Sequence, residues 1–192
     1  MKTSGSGKIV VICGGMFSGK TERLIRRMNM AHIARKRTLL FKPALDNRFS
    51  ETHIVSHSGL SLPAFAVRTV ADICAKIDSE AYVDVVGIDE AQFFGDDLIE
   101  FVEHLANSYG IHVAISGLDM DYTGAPFGPM PALLCVAEKV IKCKAVCAEC
   151  GSYRPCRSRR TVPGINQVQL GAGNRYTPLC RSCFYAHRSR DE

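Results

Sequence analysis

The sequence lacks the features of a membrane-spanning, secreted or disordered protein. Its longest purely apolar stretches, such as Ile9 to Cys13, span about five residues. A helix that crosses a bilayer needs about 20 apolar residues, and the core of a signal peptide needs about 7 to 15. Charged residues make up 22% of the chain, 16 glycines and 8 prolines are ordinary numbers, and no internal repeat is visible. We therefore expect a folded, unexported protein that works in the cytoplasm, with no membrane partner.

Cysteine and histidine restrict the possible metal chemistry. Nine cysteines are an odd number, and a chain of 192 residues buries enough core to need no disulfide staples. Metal-bound or free thiols in a reducing compartment therefore fit better than a disulfide scaffold. The six histidines have no metal-type spacing, so each is expected to be a surface or satisfied interior group. They are His32, His53, His57, His104, His112 and His187.

Apolar periodicity predicts alternating strands and helices up to about residue 140. Strands are predicted at 8–13, 38–41, 83–88 and 112–116, and helices at 22–37, 70–77 and 98–105. This order favours a parallel α/β sheet with right-handed crossovers and flanking helices. Beyond Lys142 the composition changes to Cys, Arg, Gly and Pro. We therefore expect a flexible terminus at 1–7, an α/β domain at 8–142 and a smaller domain at 143–192.

A glycine loop separates the first predicted strand from the first predicted helix. It reads Gly14-x-x-x-x-Gly19-Lys20-Thr21, the pattern of a P-loop. Glycines let successive backbone N–H groups surround phosphate oxygens, and the N-terminus of the following helix adds its dipole. Lysine reaches the β- and γ-phosphates, and the threonine hydroxyl binds Mg²⁺. The predicted ATP ligands in this loop are Gly14, Gly15, Met16, Phe17, Ser18, Gly19, Lys20 and Thr21.

Two adjacent carboxylates, Asp89 and Glu90, follow the predicted strand at 83–88. A P-loop enzyme needs a carboxylate at the tip of a neighbouring strand to hold Mg²⁺, and a second one can orient or deprotonate the nucleophile. A carboxylate pair after a strand is often only a solvated turn. Beside a P-loop, however, the functional interpretation is the better one.

Two Cys-x2-Cys pairs predict a zinc site. Cys147 and Cys150 form the first pair, and Cys180 and Cys183 form the second. Four thiolates suit a tetrahedral structural zinc that leaves no open coordination position, while disulfides or free thiols are the alternative. Cys156 is considered as a spare ligand. The other thiols, Cys13, Cys74, Cys135 and Cys143, are expected to be core or incidental groups.

The C-terminal quarter is basic, with ten Lys and Arg against three Asp and Glu from Lys142 onward. Such a charge often indicates nucleic-acid binding. A zinc ion held by four thiolates would lower the local charge by two, so the excess is modest. The cluster Arg154, Arg157, Arg159 and Arg160 is therefore expected to be a solvated face, and no nucleic-acid partner is expected.

These motifs together resemble the type II, cytosolic-type thymidine kinases. The matching blocks are GGMFSGKT, FKPALDNRFS, VSHSG, VVGIDEAQFF, SGLDMDYTGAPFGPMP, KAVCAEC and LGAGNRYTPLCRSC. The resemblance extends from Lys8 to Cys183, and the blocks have the same order and spacing as in that family. The resemblance implies a RecA-like P-loop sheet and a small zinc-binding domain that carries a lasso loop. It also implies that the enzyme transfers the γ-phosphoryl group of ATP to the 5′-hydroxyl of thymidine, in nucleotide salvage for DNA synthesis. Deoxyuridine is implied as a second substrate.

The resemblance also implies roles for individual residues. Glu90 corresponds to the general base. Asp46, Asn47 and Arg48 correspond to residues near phosphate and metal, and Asp89 and Gln92 join the ATP site. The nucleoside pocket corresponds to Met16, Phe93, Leu118, Tyr122 and Phe127, and the lasso contributes Gln167, Val168, Gln169, Leu170, Gly171 and Tyr176. Mg²⁺ with ATP, a structural zinc, feedback inhibition by dTTP and a homotetramer are implied in the same way. Cys156-Arg157 replaces an aromatic-Thr pair that many relatives carry.

Three alternatives differ in class. A nucleic-acid-dependent ATPase is suggested by DEAQ and the basic quarter, but two RecA-like lobes need on the order of 300 residues. A non-catalytic zinc-ribbon module would need neither Lys20 nor the Asp89-Glu90 pair. A kinase for another nucleoside is the nearest chemical alternative, because the choice of base depends on the lasso.

Overall fold

The computed structural model describes residues 6–45, 52–56, 58–161 and 175–191. Its strands are β1 (Ile9–Cys13), β2 (Thr38–Pro43), β3 (His53–Val55), β4 (Ser61–Pro63), β5 (Phe65–Val67), β6 (Val85–Ile88), β7 (His112–Gly117), β8 (Lys139–Lys142), β9 (Ala145–Val146), β10 (Tyr153–Arg154), β11 (Arg157–Arg160) and β12 (Tyr176–Leu179). Its helices are α1 (Lys20–Ile33), α2 (Val70–Asp78), α3 (Asp97–Tyr109), α4 (Met130–Val136) and α5 (Arg181–Asp191), and a short 3-10 helix spans Ala91–Phe93. No described helix combines the length and apolar character that a bilayer crossing requires.

A six-stranded parallel sheet forms the centre of the molecule, in the order β5-β2-β6-β7-β1-β8. Every residue of β1 and β6 is buried, as expected for strands covered on both faces. The predicted α/β class is therefore confirmed. Because all six strands run in the same direction, the ends of β1, β6 and β7 lie along the same edge.

Helices cover both faces of the sheet. On one face α1 packs Leu24, Ile25 and Met28 against a cluster that includes Ile12. On the other face α3 packs its apolar side against a cluster that includes Val11. Neighbouring β1 residues thus point into opposite cores, which is the alternation that a strand imposes.

The predicted elements agree with the structure where the periodicity is strong. The capping box before α2 is present, since the Thr69 hydroxyl accepts the Asp72 amide at 3.2 Å and the Asp72 carboxylate accepts the Thr69 amide at 3.0 Å. The first helix ends at Ile33 instead of Arg37, because Arg35 adopts a left-handed φ of 57°. The short elements α4 and β8 were not predicted, since α4 spans 7 residues and β8 spans 4, which is too few for a sustained periodicity.

The C-terminal part is small and built from short strands. β9 pairs with β10 and β11 pairs with β12, both antiparallel, and α5 follows. Its buried cluster consists of Ala145, Cys147, Cys156, Leu179, Cys180 and Phe184. Half of these residues are cysteines, so apolar burial alone gives this part little stability.

We predict that Thr69→Ala lowers the free energy of unfolding by about 1 kcal/mol, because the variant loses the side-chain cap of α2. Thr69→Ser keeps the hydroxyl and is expected to stay near the wild-type value. Urea unfolding followed by circular dichroism measures both. Equal losses in the two variants would show that the cap contributes nothing.

Candidate active site

The loop between β1 and α1 has the backbone geometry of a phosphate-binding turn. Gly14 has a φ of 140° and Gly19 a φ of 75°, conformations that side chains other than glycine rarely adopt. Phe17, at 62°, is a third residue with positive φ. Among the residues that the structure describes, no side chain caps the start of α1. The first N–H groups of the helix therefore have no side-chain acceptor in this part of the chain and suit an anion.

Lys20 and Ser18 both bond to the same carbonyl of this loop. The Lys20 Nζ donates to the Gly15 carbonyl oxygen at 2.9 Å, and the Ser18 hydroxyl donates to it at 2.7 Å. Lys20 is only 8% exposed. The ammonium group thus already lies inside the loop. The predicted phosphate neighbours Asp46, Asn47 and Arg48 lie outside the described residues.

Asp89 follows β6, which is separated from β1 by β7 and is therefore not its immediate neighbour in the sheet. Its amide donates to the Phe41 carbonyl at 2.9 Å, and the Ser116 hydroxyl donates to its carboxylate at 2.6 Å. Burial, followed by the charge of Glu90, raises the pKa of Asp89 to about 7. Lys20 acts in the opposite direction. Two carboxylates crowded at one buried edge form a site that favours a cation.

Glu90 is oriented by a neighbour in the same motif. Its backbone has a left-handed φ of 50°, and its carboxylate accepts the side-chain amide of Gln92. The side-chain carbonyl oxygen of Gln92 accepts a hydrogen bond from the Leu118 amide at 2.9 Å, and Gln92 is 3% exposed. Gln92 therefore links the carboxylate of Glu90 to the loop after β7. Its assignment to ATP stays a prediction.

Four of the residues predicted to contact the nucleoside occur in two described groups. Phe93 and Phe127 pack edge to face with ring centroids 5.7 Å apart. Tyr122 lies beneath the guanidinium of Arg160 at 3.7 Å, and Tyr176 lies 6.0 Å from that guanidinium. The predicted lasso residues Gln167, Val168, Gln169, Leu170 and Gly171 lie outside the described residues.

The expectation of a solvated arginine face is wrong for two of the four arginines. Arg160 stacks on Tyr122, and Arg157 lies 5.8 Å from the ring of Phe184 and 5.4 Å from that of Tyr185. The sequence analysis also missed Ser158, whose hydroxyl accepts the Met16 amide at 2.8 Å. Ser158 and Arg160 share one face of β11, but that strand was not predicted, so no local signal identified Ser158.

The four cysteines predicted to bind zinc lie together. Their sulfur atoms are all within 4.8 Å of one another, and the Cys150 and Cys180 sulfurs are 3.8 Å apart. A tetrahedral centre with Zn–S bonds of about 2.3 Å requires sulfur atoms about 3.8 Å apart, so the group fits a structural zinc. Hydrogen bonds, chiefly that from the Ser152 hydroxyl, lower the pKa of Cys150 to about 6 and favour its thiolate, whereas bonds with the other sulfur atoms, chiefly that of Cys180, raise the pKa of Cys183 to about 12. Cys156 instead donates to the Ala145 carbonyl at 3.4 Å.

The fold and this site define the class of the protein. A parallel sheet whose first strand leads through a glycine loop into a helix, with a buried lysine in that loop and carboxylates at the same edge, is that of a P-loop α/β protein. A family model described as "Thymidine kinase" matches residues 7–184. The chain therefore belongs to the thymidine kinase family, as the motif resemblance indicated.

Relatives of similar length agree. The chain is 50% identical over 190 residues to the thymidine kinase of Bacteroides thetaiotaomicron, covering 99% of this chain and 93% of the relative. It is 51% identical over 183 residues to that of Bacteroides fragilis strain YCH46, covering 95% and 89%. For the Porphyromonas gingivalis strain ATCC 33277 enzyme the identity is 49% over 178 residues, covering 93% and 85%. The similarity thus extends over both the sheet and the cysteine-rich part.

We predict that Asp89→Asn changes how stability depends on pH. The folded-state pKa of about 7 is above the ordinary value of 3.8, so the folded protein holds this proton more tightly than the unfolded chain. The contribution of protonated Asp89 to the wild-type free energy of unfolding is therefore lost as pH rises from about 4 through about 7. Asparagine cannot ionise, so the stability of the variant relative to wild type should increase over that window.

Urea unfolding at several pH values, in buffer without nucleotide or divalent cations, measures this difference. Asp97→Asn, a change at an exposed carboxylate, is the matched control and should show a smaller dependence. Parallel pH curves for wild type and Asp89→Asn would contradict the raised pKa.

Proposed function

We propose that this protein transfers the γ-phosphoryl group of ATP to the 5′-hydroxyl of thymidine, forming dTMP, and that deoxyuridine is a second substrate. The observation that carries the proposal is the position of Lys20 and the Asp89-Glu90 pair at one edge of the sheet, in a chain of the thymidine kinase family. Its place is nucleotide salvage for DNA synthesis, in the cytoplasm, where reducing conditions suit a four-thiolate centre.

The phosphate loop is proposed to hold the triphosphate. The amides of residues 14–21 other than Met16, whose N–H donates to Ser158, supply N–H donors in the loop and at the start of α1. The Lys20 ammonium exchanges its bond to the Gly15 carbonyl for a phosphate oxygen. Mg²⁺ bound with ATP neutralises charge on the phosphates, and Thr21 and Asp89 are the side chains proposed to hold it. Asp46, Asn47 and Arg48 are proposed to complete this site.

Glu90 is proposed as the general base that accepts the proton of the 5′-hydroxyl. A carboxylate acts in this role only when it is held within hydrogen-bond reach of the hydroxyl. The bond from Gln92 restricts the Glu90 side chain, and the bond from the Leu118 amide restricts Gln92. Gln92 is thus a positioning residue in this proposal, whether or not it also contacts ATP.

The aromatic pair Phe93 and Phe127, with Leu118, Tyr122 and Met16, is proposed to enclose the nucleoside. Tyr176 and residues 167–171 are proposed to close over the base as the lasso. The zinc ion is structural in this proposal, because four cysteines complete its tetrahedral shell and leave no position for a reacting water. A homotetramer and feedback inhibition by dTTP follow from the family resemblance alone.

The experiment that tests the function is Mg-ATP-dependent phosphorylation of a panel of deoxynucleosides. We expect product from thymidine and deoxyuridine, and we expect Glu90→Gln to lower kcat by about 10²-fold or more while ATP binding stays nearly unchanged. Glu100→Gln makes the same chemical change at an exposed position on α3 and should keep wild-type activity.

Phosphorylation of another nucleoside alone would retain the P-loop chemistry and reject the proposed base selection. ATP turnover that requires single-stranded DNA would replace the kinase with a nucleic-acid-dependent ATPase. Undiminished turnover in Glu90→Gln would remove Glu90 as the base.

Gln92→Leu separates the two roles considered for Gln92. Loss of a hydrogen bond to a charged group costs about 1.5 to 3 kcal/mol, so we expect kcat to fall roughly 10- to 100-fold with little change in the Kd for ATP. If Gln92 instead binds ATP directly, the Kd rises and kcat at saturating ATP is retained. Steady-state kinetics and calorimetric ATP titration distinguish these results, and thermal unfolding checks that the variant is folded.

A further inference from the structure

We propose that the zinc-binding part of the chain forms one wall of the phosphate loop through Ser158, so that zinc occupancy sets the affinity of the loop for ATP. This inference rests on the proposed binding of ATP by the loop. It adds a function for the metal centre, which is to hold the loop in its binding conformation.

The contact between the two parts is direct and buried. The Ser158 hydroxyl accepts the Met16 amide at 2.8 Å across a sequence separation of 142 residues, and Ser158 is 4% exposed. A Cβ atom added to Gly15 would lie 2.4 Å from the Cys156 carbonyl oxygen and 3.3 Å from the Ser158 hydroxyl. The backbone of β11 and its preceding residue is therefore packed against the backbone of the phosphate loop.

This contact holds one peptide plane from both sides. The carbonyl of Gly15 and the amide of Met16 belong to the same planar peptide group. Lys20 and Ser18 donate to its carbonyl oxygen, while its N–H donates to Ser158. Rotation of this plane would move the acceptor on which the Lys20 ammonium rests. Ser158 is therefore a positioning residue for the phosphate loop.

The metal ligands hold the strand that carries Ser158. In the pairing of β11 with β12, Ser158 lies opposite Pro178 and Arg157 lies opposite Leu179, one residue before Cys180. The Pro178 carbonyl accepts the Ala148 amide at 2.9 Å, and Ala148 directly follows Cys147. β12, the strand paired with β11, is thus joined to two zinc ligands, since it leads into Cys180 and its Pro178 carbonyl bonds to the residue after Cys147.

The surrounding apolar core is too small to replace the metal. Apart from its cysteines, the buried cluster of this part contains only Ala145, Leu179 and Phe184 among the described residues. Metal binding in such small units supplies a large part of the folding free energy. Loss of zinc is therefore expected to loosen β11, which frees the Gly15–Met16 peptide and disorganises the donors for phosphate.

The first test uses the zinc-loaded full chain and ATP as the probe. Ser158→Ala is expected to raise the Kd for ATP about 3- to 10-fold, which corresponds to the loss of one hydrogen bond. Ser158→Thr keeps the hydroxyl and should restore tighter binding. Ser108→Ala, a matched change at an exposed serine of α3, should leave the Kd unchanged. Equal Kd values for Ser158→Ala and wild type would overturn the proposal.

The second test is a thermodynamic cycle with zinc removal by a chelator. Wild-type protein is expected to lose ATP affinity as zinc is released. The ATP affinity of Ser158→Ala should fall by a smaller factor, because this variant already lacks the hydrogen bond between β11 and the phosphate loop. Circular dichroism confirms that the α/β sheet stays folded in the metal-free protein. Equal losses in the two proteins, or no loss in wild type, would reject the coupling.

The same measurements separate failure of this inference from failure of the proposed function. Zinc-loaded wild-type protein that binds no ATP would reject the assignment of the loop, and both proposals with it. Wild-type protein that binds ATP equally well with and without zinc would reject only the coupling. Restoration of affinity when zinc is added back to the wild type supports it.

Discussion

The site depends on the common direction of the strands in the central sheet. Because all six strands are parallel, their carboxyl ends meet at one edge, and the turns that leave them lie close together. The loop after β1 carries Lys20, the turn after β6 carries Asp89 and Glu90, and the loop after β7 carries Leu118. Residues up to about a hundred positions apart in the chain thereby lie at one edge, each at the turn or loop that follows its strand.

The charged groups at this edge include a carboxylate whose burial costs free energy. Asp89 is taken out of water beside a second carboxylate, which raises its pKa, and the Ser116 hydroxyl and the Lys20 charge offset part of that cost. The cation proposed to bind with ATP would remove the remainder. The carboxylates at this edge of the sheet are thus only partly stabilised by the protein, so the edge suits a ligand that brings phosphate and metal together.

The cysteine-rich part meets a different constraint. It has few apolar residues to bury, so four sulfur atoms at metal-binding separations take the place of a hydrophobic core. Its strand β11 uses alternate residues for two contacts with the sheet domain, Ser158 on the phosphate loop and Arg160 on Tyr122. These contacts make the four-cysteine group a neighbour of both candidate binding regions, and a zinc ion held by all four sulfur atoms would have no open position for chemistry.

The sequence by itself determined the α/β class, the glycine loop, the carboxylate pair and the two Cys-x2-Cys pairs, because each depends on a periodicity or spacing within a short segment. Only the tertiary structure decided which strand lies between β1 and β6, that Gln92 holds Glu90, and that β11 packs on the phosphate loop. The strand order and the contact of β11 join distant segments, and the bond from Gln92 to Glu90 depends on the left-handed backbone at Glu90 and on the Leu118 amide that holds Gln92. A single polar side chain such as Ser158 has no local signature that distinguishes a buried acceptor from a solvated hydroxyl.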